Sequence, residues 1–298
     1  MNFQQSLEEG RFTVTAEVGP PKGTDVTEML SCALRLKDRV NGVNVTDNQS
    51  SVMRMSSLVA CHFLKERGID PIYQVTCRDR NRLALQSDLL SASSLGLRNV
   101  LVLTGDHPRV GDHPQAKPVF DVDSAQLLQV IHRLNEGWDI STQSLNKTLP
   151  HGTALKGKTD LFPGAVVCPE ADPLKPQLLK FAKKMAAGAG FFQTQAVFDL
   201  EKFEKFMKYA RDLGARVLAG ILLLRSPGMA RYLNRNVPGV KVPDHLIKEM
   251  ESSNHPLETG ISIAARYIKQ LRPMCEGVHI MAIGLEHKVL NILDEAGI

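Results

Sequence analysis

Carboxyl, amide and hydroxyl side chains recur in this sequence directly after short apolar runs, where they could carry out proton transfer or bind a ligand. A carboxyl group at such a point can act as a general acid or base, and an amide can both donate to and accept from the edge of a bound molecule. The groups that follow apolar runs are Glu17, Thr46 with Asp47, Thr76 with Arg78, Thr104-Gly105-Asp106, Cys168-Pro169-Glu170, Gln193 with Gln195, Arg225 and Glu286.

Eight short runs rich in β-branched residues predict the strands that end at these groups. Segments with helical periodicity follow them, most clearly at 199–213, where Asp199 is a candidate N-cap and Gly214 a terminating residue. The predicted strands are 11–18, 42–47, 71–77, 99–105, 164–169, 191–197, 215–224 and 277–283, and further predicted helices are 54–66, 81–94, 124–135, 175–187 and 287–296.

Strand and helix alternate along the whole chain, which predicts parallel strands joined by right-handed crossovers. Eight such units in 298 residues, with no linker between them, favour an α/β fold with a single (β/α)8 TIM barrel over residues 1–298. Catalytic groups of such barrels lie at the carboxyl ends of the strands. The polar groups named above are therefore expected at one end of one barrel.

Two connections at that end, 107–123 and 225–260, are long enough to be ligand lids. A third polar stretch, 137–162, precedes a strand and is expected at the opposite, less functional end of the barrel.

Composition excludes several classes of protein. No run of 18 apolar residues and no signal peptide are present, so a cytoplasmic protein without a membrane span is expected. The net charge is only +4 and there are four Tyr and one Trp, so nucleic-acid binding is not expected. The five cysteines are never closer than 16 positions, which offers neither a metal knuckle nor an iron–sulfur cluster.

Residues 152–159 match the P-loop pattern G-x-x-x-x-G-K-[ST], but their context argues against a phosphate-binding loop. The pattern requires an apolar strand before it and a helix beginning at its lysine. Here the stretch from Ser141 to His151 is polar, and Pro163 follows Lys158 too closely for a helix. No G-x-G-x-x-G opens a helix, and no histidine pair suits a metal, so neither a Rossmann dinucleotide site nor a metal site is predicted.

The motif Ala16-Glu17-Val18-Gly19-Pro20-Pro21-Lys22 resembles the opening motif of the methylenetetrahydrofolate reductases, flavin-dependent (β/α)8 barrels. The resemblance recurs in chain order over almost the whole sequence, at 44–47, 74–77, 103–106, 187–189, 194–199 and 219–222. It implies reduction of 5,10-methylenetetrahydrofolate to 5-methyltetrahydrofolate by a reduced flavin, a reaction of one-carbon metabolism.

The resemblance also implies roles for individual residues. Glu17 matches the acid that opens the five-membered ring of the folate, and Asp106 matches the acidic residue near the flavin and the pterin. Gln195 matches the substrate-binding glutamine, with Gln193 as the competing assignment on the same strand. Flavin-binding positions correspond to Thr46, Gln74, Thr104, Gly105, Asp106, Cys168, Asp172 and Lys184.

Several of these positions depart from the family pattern. Gln74 stands where a histidine is common, Thr104 replaces an arginine, Cys168 a tyrosine and Asp172 a histidine, and Pro227 falls where better-known bacterial members carry a phenylalanine over the folate or nicotinamide. The resemblance implies FAD in preference to FMN, but these departures leave the contacts with its pyrophosphate and adenine open, and the reductant stays open between NADH, NADPH and a partner electron-transfer subunit. A homo- or hetero-oligomer is expected, and a non-catalytic flavin- or folate-binding subunit is the alternative.

Overall fold

The computed structural model describes residues 2–144, 147–148, 152–237 and 239–298. Eight parallel strands close into a barrel in the order β1, β10, β9, β8, β7, β4, β3, β2, and a two-stranded antiparallel pair, β5 and β6, stands apart. The barrel strands are β1 (Thr13–Val18), β2 (Gly42–Val45), β3 (Pro71–Thr76), β4 (Asn99–Leu103), β7 (Phe162–Val167), β8 (Phe191–Ala196), β9 (Val217–Leu222) and β10 (Gly277–Met281); the pair is β5 (Gln143–Ser144) and β6 (Lys147–Thr148). The predicted TIM barrel is confirmed.

Helices follow the barrel strands and cover their outer faces with apolar side chains. Asp199 caps one of them by accepting a hydrogen bond from the Lys202 amide at 3.0 Å, as its position predicts. The helices are α1 (Phe3–Glu8), α2 (Thr27–Leu36), α3 (Ser57–Glu66), α4 (Arg82–Ser94), α5 (Ser124–Glu136), α6 (Lys175–Ala186), α7 (Leu200–Asp212), α8 (Pro227–Asn236), α9 (Asp244–Glu251), α10 (Pro256–Leu271) and α11 (Val289–Ala296).

The segment 225–260 is not the long loop that its sequence predicts. It contains α8, α9 and the start of α10, because Pro227 and Pro256 each open a helix at a position where the missing N–H costs nothing. Its residue 238 lies outside the described residues. The stretch 137–162 lies at the amino ends of the strands, as predicted, because it connects α5 to β7. Its residues 145, 146 and 149–151 are not described.

The lysine of the rejected P-loop pattern is not followed by a helix. Residues 155–161 are irregular and β7 begins at Phe162, so the chain offers no helix N-terminus at Lys158. The loop nevertheless leads into a strand that lines the barrel.

Helix α1, which the sequence did not predict, closes the amino end of the barrel. Its Phe3 and Leu7 are buried against Ile72, Leu101, Phe191 and Leu218 in an apolar cluster within the lumen. The ring of Phe3 meets that of Phe191 edge-on, with centroids 4.8 Å apart, and the Phe3 amide donates to Asp70 Oδ2 at 2.8 Å. The lower half of the lumen is therefore apolar and filled.

This plug generates a stability prediction. Phe3→Ala removes a fully buried ring from the cluster and should lower the free energy of unfolding by about 3–5 kcal/mol, because transfer and cavity costs add. Urea denaturation followed by circular dichroism measures the change. Gln5→Ala, on the exposed face of the same helix, is the control and should change the stability by less than about 0.5 kcal/mol; equal effects of the two substitutions would contradict the plug.

Candidate active site

Glu17 lies near the carboxyl end of β1 and is held by an amide and an imidazole side chain. Its Oε1 accepts from Gln74 Nε2 at 3.4 Å and lies 3.3 Å from His279 Nε2. The described residues make no hydrogen bond to Oε2, and the side chain is 12% exposed. One carboxyl oxygen is thus fixed by the protein while the other is left for a ligand or solvent.

Below Glu17, a layer of buried polar side chains crosses the barrel lumen. Thr15 Oγ1 and His279 Nδ1 are 2.9 Å apart, Gln193 Nε2 is 3.3 Å from Thr15 Oγ1, and Asn44 Nδ2 donates to Gln193 Oε1 at 2.7 Å. All four residues are at most 3% exposed. This layer sits on the apolar plug and supports Glu17 from beneath.

The two candidate glutamines of β8 occupy different environments. Gln193 is buried with both ends of its amide bonded to protein, whereas Gln195 is exposed and its amide has no partner among the described side chains. A register shift in the β8–β9 pairing falls between Gln193 and Ala196. Gly220 accommodates this bulge, because a Cβ there would lie 2.5 Å from the Thr194 carbonyl oxygen and 2.7 Å from that of Gln195. Gln195 is therefore the glutamine available to a ligand.

Thr46, directly after β2, carries an unsatisfied hydroxyl. It is 2% exposed, and its Oγ1 has no hydrogen-bond partner in the described part of the chain. Nearby Gly19 leaves room above it, since a Cβ on that residue would lie 3.9 Å from Oγ1. A buried hydroxyl without a partner costs free energy, so a ligand oxygen or nitrogen at this point would satisfy it.

The turn after β4 brings Thr104, Gly105 and Asp106 to the same end of the barrel. Thr104 donates to Ser124 Oγ at 3.2 Å, and Gly105 adopts φ +91°, a conformation that favours glycine. The carboxyl group of Asp106 is exposed, whereas its backbone oxygen accepts from Ser51 Oγ at 3.0 Å. The main chain of Asp106 is anchored while its side chain faces outward.

Arg78 connects the loops around Asp106. Its guanidinium donates to Ser51 Oγ at 2.9 Å, to the backbone oxygens of Asp106 and Asn48 at 3.3 Å each, and to Asp79 at 2.7 Å and 2.8 Å. The side chain is only 3% exposed. One buried cation therefore ties together the loops after β2, β3 and β4.

The loop after β2 carries backbone strain that the sequence did not predict. Asn48, Ser50 and Ser51 have φ of 45°, 54° and 58°, in a region that costs non-glycine residues about 1–3 kcal/mol each. Strain of this kind persists where surrounding contacts enforce it, and here Arg78 supplies those contacts. Such strain concentrates at functional sites.

The remaining predicted positions lie around the ends of β7 and α6. Cys168 Sγ donates to the Gly239 oxygen at 3.5 Å, and burial raises the pKa of the thiol. Asp172 is exposed. Lys184 Nζ donates to the Val166 oxygen at 2.7 Å, and burial, with the nearby Lys180 charge, lowers the pKa of Lys184 to about 8. A half-buried amine with one neutral partner is well suited to a phosphate oxygen.

Three residues of this site were not singled out from the sequence: His279, Thr15 and Asn44. His279 lies within a predicted strand. The period-2 alternation of that strand places His279 and Met281 on one face, and this pattern could have indicated that His279 points into the barrel. The partnership of His279 with Glu17 required the β1–β10 pairing, in which Thr15 is the partner of His279.

Among the described residues, no three His, Cys, Asp or Glu side chains are grouped so that they could hold a metal ion. None of the described helices is both long and apolar enough to cross a membrane.

Comparison with known proteins gives the family. A 5,10-methylenetetrahydrofolate reductase of Pectobacterium carotovorum subsp. carotovorum is 26% identical over 282 residues, covering 90% of this chain and 85% of that protein. A probable methylenetetrahydrofolate reductase (NADPH) of Caenorhabditis elegans is 23% identical over 253 residues, 82% of this chain but 34% of that protein, so the match spans about a third of the nematode protein's length.

Among solved structures, the EDTA monooxygenase EmoA from Chelativorans sp. BNC1 superposes with a TM-score of 0.57 at 13% identity, covering 96% of this chain and 93% of that one. This likeness shows the fold alone. The family model for methylenetetrahydrofolate reductase matches residues 2–297, nearly the whole chain, and the protein therefore belongs to the methylenetetrahydrofolate reductase family.

Proposed function

We propose that this chain catalyses the flavin-dependent reduction of 5,10-methylenetetrahydrofolate to 5-methyltetrahydrofolate. The observation that carries the proposal is Glu17, whose Oε1 is held by His279 and Gln74 while none of the described residues bonds to Oε2 at the carboxyl end of the barrel. A positioned carboxyl group with one open oxygen is what ring opening of the folate requires. Family membership over residues 2–297 supports the same reaction.

The residues at the strand ends fit a flavin. The partnerless Thr46 hydroxyl and the Lys184 amine are two polar groups that a bound flavin would satisfy, and Gln74, Thr104, Gly105, Asp106, Cys168 and Asp172 complete the proposed binding set. FAD is the proposed cofactor in preference to FMN on the basis of the family, and Lys184 would hold one of its phosphate oxygens. Reduced flavin supplies the hydride that the reaction consumes.

Glu17 supplies the proton. As the bond between the methylene carbon and the departing nitrogen breaks, Glu17 gives the Oε2 proton to that nitrogen, and the methylene carbon becomes the electrophile that accepts hydride. The carboxylate left behind keeps the Gln74 hydrogen bond at Oε1, with His279 Nε2 3.3 Å from the same oxygen, and these two side chains stabilise its charge.

Gln195 and Asp106 bind and orient the pterin in this account. The Gln195 amide is exposed and unpaired among the described side chains, so it can both donate to and accept from the pterin edge. The exposed carboxylate of Asp106, set by its anchored main chain, would disfavour negative charge on the reduced flavin nearby. Gln193 is the alternative substrate ligand that the sequence predicts. Because Gln193 is buried and bonded to protein, we favour Gln195 for that role.

The electron source lies outside the barrel's own residues. NADH, NADPH or a partner electron-transfer subunit would each have to act at the loop end of the barrel, within a cytoplasmic homo- or hetero-oligomer. The competing function is that of a non-catalytic flavin- or folate-binding subunit of a one-carbon complex. Such a subunit would not need a Glu17 carboxyl group positioned by His279 and Gln74.

The visible spectrum and its response to electron donors test this function first. The purified protein should carry the absorption bands of oxidised flavin, and those bands should bleach with NADH, NADPH or a reduced viologen dye. Bleaching by dye but not by nicotinamide would assign the electrons to a partner subunit. A colourless protein that does not take up added FAD would contradict the proposal and favour a flavin-free folate-binding barrel.

Glu17→Gln should abolish most of the folate chemistry without disturbing the cofactor. Loss of a general acid lowers rates by about 10²–10⁴-fold, so reduction of 5,10-methylenetetrahydrofolate should fall by that factor while bleaching of the flavin is retained. Glu286→Gln is the matched control, because Glu286 is a half-buried carboxyl at the same end of the barrel whose one hydrogen bond among the described residues is from the Gly284 amide. Full folate reduction by Glu17→Gln would refute the acid role.

The protonation of Lys184 should make the affinity for FAD depend on pH. With its pKa lowered to about 8, the free amine is charged below that pH and neutral above it, so affinity for an anionic cofactor should decrease as pH rises through 8. Between pH 7 and pH 9 the dissociation constant of FAD should rise by up to about tenfold, measured by quenching of flavin fluorescence. Lys184→Met should bind FAD weakly with little pH dependence. Lys183→Met, on the exposed neighbour, should behave like wild type; loss of the pH dependence in this control would contradict the assignment.

A further inference from the structure

Asn44 and Gln193 form a pair of amides inside the barrel, and neither amide hydrogen-bonds to Glu17, although Asn44 is the β2 residue paired with Glu17 in the sheet. Asn44 Nδ2 donates to Gln193 Oε1 at 2.7 Å, and Gln193 Nε2 donates to Asn44 Oδ1 at 3.2 Å. Asn44 is fully buried and Gln193 is 2% exposed. Buried amides are unfavourable unless they are paired, and apolar side chains could fill the same space, as they do in the plug below.

The pair gives the hydrogen bonds of the layer a direction. One hydrogen of Gln193 Nε2 goes to Asn44, so the other points to Thr15 Oγ1, 3.3 Å away. Thr15 thereby accepts from Gln193, and its own hydroxyl hydrogen is free to be donated. The better placed of its two acceptors is His279 Nδ1 at 2.9 Å, compared with the Val278 oxygen at 3.4 Å.

A Thr15 hydroxyl that donates to Nδ1 determines which nitrogen of the neutral His279 ring carries hydrogen. Nδ1 is then the acceptor and Nε2 the N–H, and Nε2 faces Glu17 Oε1 at 3.3 Å. Gln74 donates to the same oxygen at 3.4 Å. With two donors directed at Oε1, the proton of a neutral Glu17 must reside on Oε2.

We propose that Asn44 and Gln193 are positioning residues that set the tautomer of His279 through Thr15 and so keep the transferable proton of Glu17 on Oε2. Turning both amides over would preserve their mutual bonds but place Gln193 Oε1 against Thr15. Each hydrogen bond from Gln193 through Thr15 to His279 would then reverse its direction, so that Nε2 would carry no hydrogen. Nε2 would accept a hydrogen bond from Glu17, and the Glu17 proton would reside on Oε1, away from the substrate. The inference rests on the proposed function only for its consequence on rate.

The tautomer itself is measurable in the wild-type protein without any turnover. In ¹⁵N-labelled protein, nitrogen chemical shifts distinguish a protonated ring nitrogen from a bare one, and the His279 signals are identified by their loss in His279→Gln. Hydrogen on Nε2 with Nδ1 bare is expected. Hydrogen on Nδ1, or a ring with no preferred tautomer, would overturn the proposal even if the enzyme proved fully active, so its failure is distinct from failure of the proposed function.

Variants then test whether the amide pair is responsible. Gln193→Met keeps the side-chain length without the amide and should give a mixture of His279 tautomers, with single-turnover folate reduction slowed by about tenfold, the loss expected for one hydrogen bond. Thr15→Val should do the same, and Thr15→Ser should restore both readouts. The double variant Thr15→Val with Gln193→Met should be no slower than either single variant, because both break one chain.

Leu218→Met is the matched control, since Leu218 is the β9 partner of Gln193 and lies in the apolar cluster of the lumen. It disturbs packing in the lumen without removing a hydrogen bond, so the tautomer and the rate should stay at wild-type values. If Gln193→Met left the His279 tautomer unchanged, or if Leu218→Met shifted it equally, the positioning role would be refuted.

Discussion

A polar side chain enclosed in a barrel must find its hydrogen-bond partners inside the barrel, and this constraint organises the protein. The lumen of this barrel is filled in two levels. Phe3, Phe191 and their neighbours close the amino end with apolar packing. Above them, Asn44, Gln193, Thr15 and His279 satisfy one another. Glu17 is held at the top of that layer, so its orientation depends on every bond beneath it.

A second set of contacts governs the rim. Arg78 is almost completely buried, and its guanidinium is satisfied by one carboxylate, one hydroxyl and two backbone oxygens. A buried cation with that many fixed partners is costly to disturb, because removing one partner leaves charge unsatisfied. Through these bonds the strained residues 48–51 and the Asp106 turn are held against each other. The lumen thus fixes the acid, and the rim fixes the surfaces proposed to bind flavin and pterin.

Much of this architecture follows from the sequence because it depends on local patterns. Alternating strands and amphipathic helices predicted the eight-stranded barrel, and the end of each apolar run predicted which polar residues meet at one end. The helix α1 was not predicted because six residues are too few for a periodic pattern, and 225–260 was predicted as one long connection although two of its helices begin at a proline. Predicted strands such as 99–105 extended beyond β4 because Gly105 turns the chain at positive φ.

The finer features of the site could not be predicted because they depend on pairing between distant strands. His279 meets Glu17 only through the β1–β10 register, and the difference between Gln193 and Gln195 arises from a bulge that no local pattern reveals. Departures from the family pattern also become intelligible in this light. Gln74, in place of the common histidine, is the second donor to Glu17.

The most direct test of the account is a crystal structure of the protein with FAD and 5-methyltetrahydrofolate bound. We expect the nitrogen released from the methylene carbon to lie within hydrogen-bond distance of Glu17 Oε2, Gln195 to contact the pterin, and Gln193 to remain bonded to Asn44. A folate held by Gln193 with the Asn44 pair broken, or a Glu17 carboxyl turned away from the ligand, would contradict it.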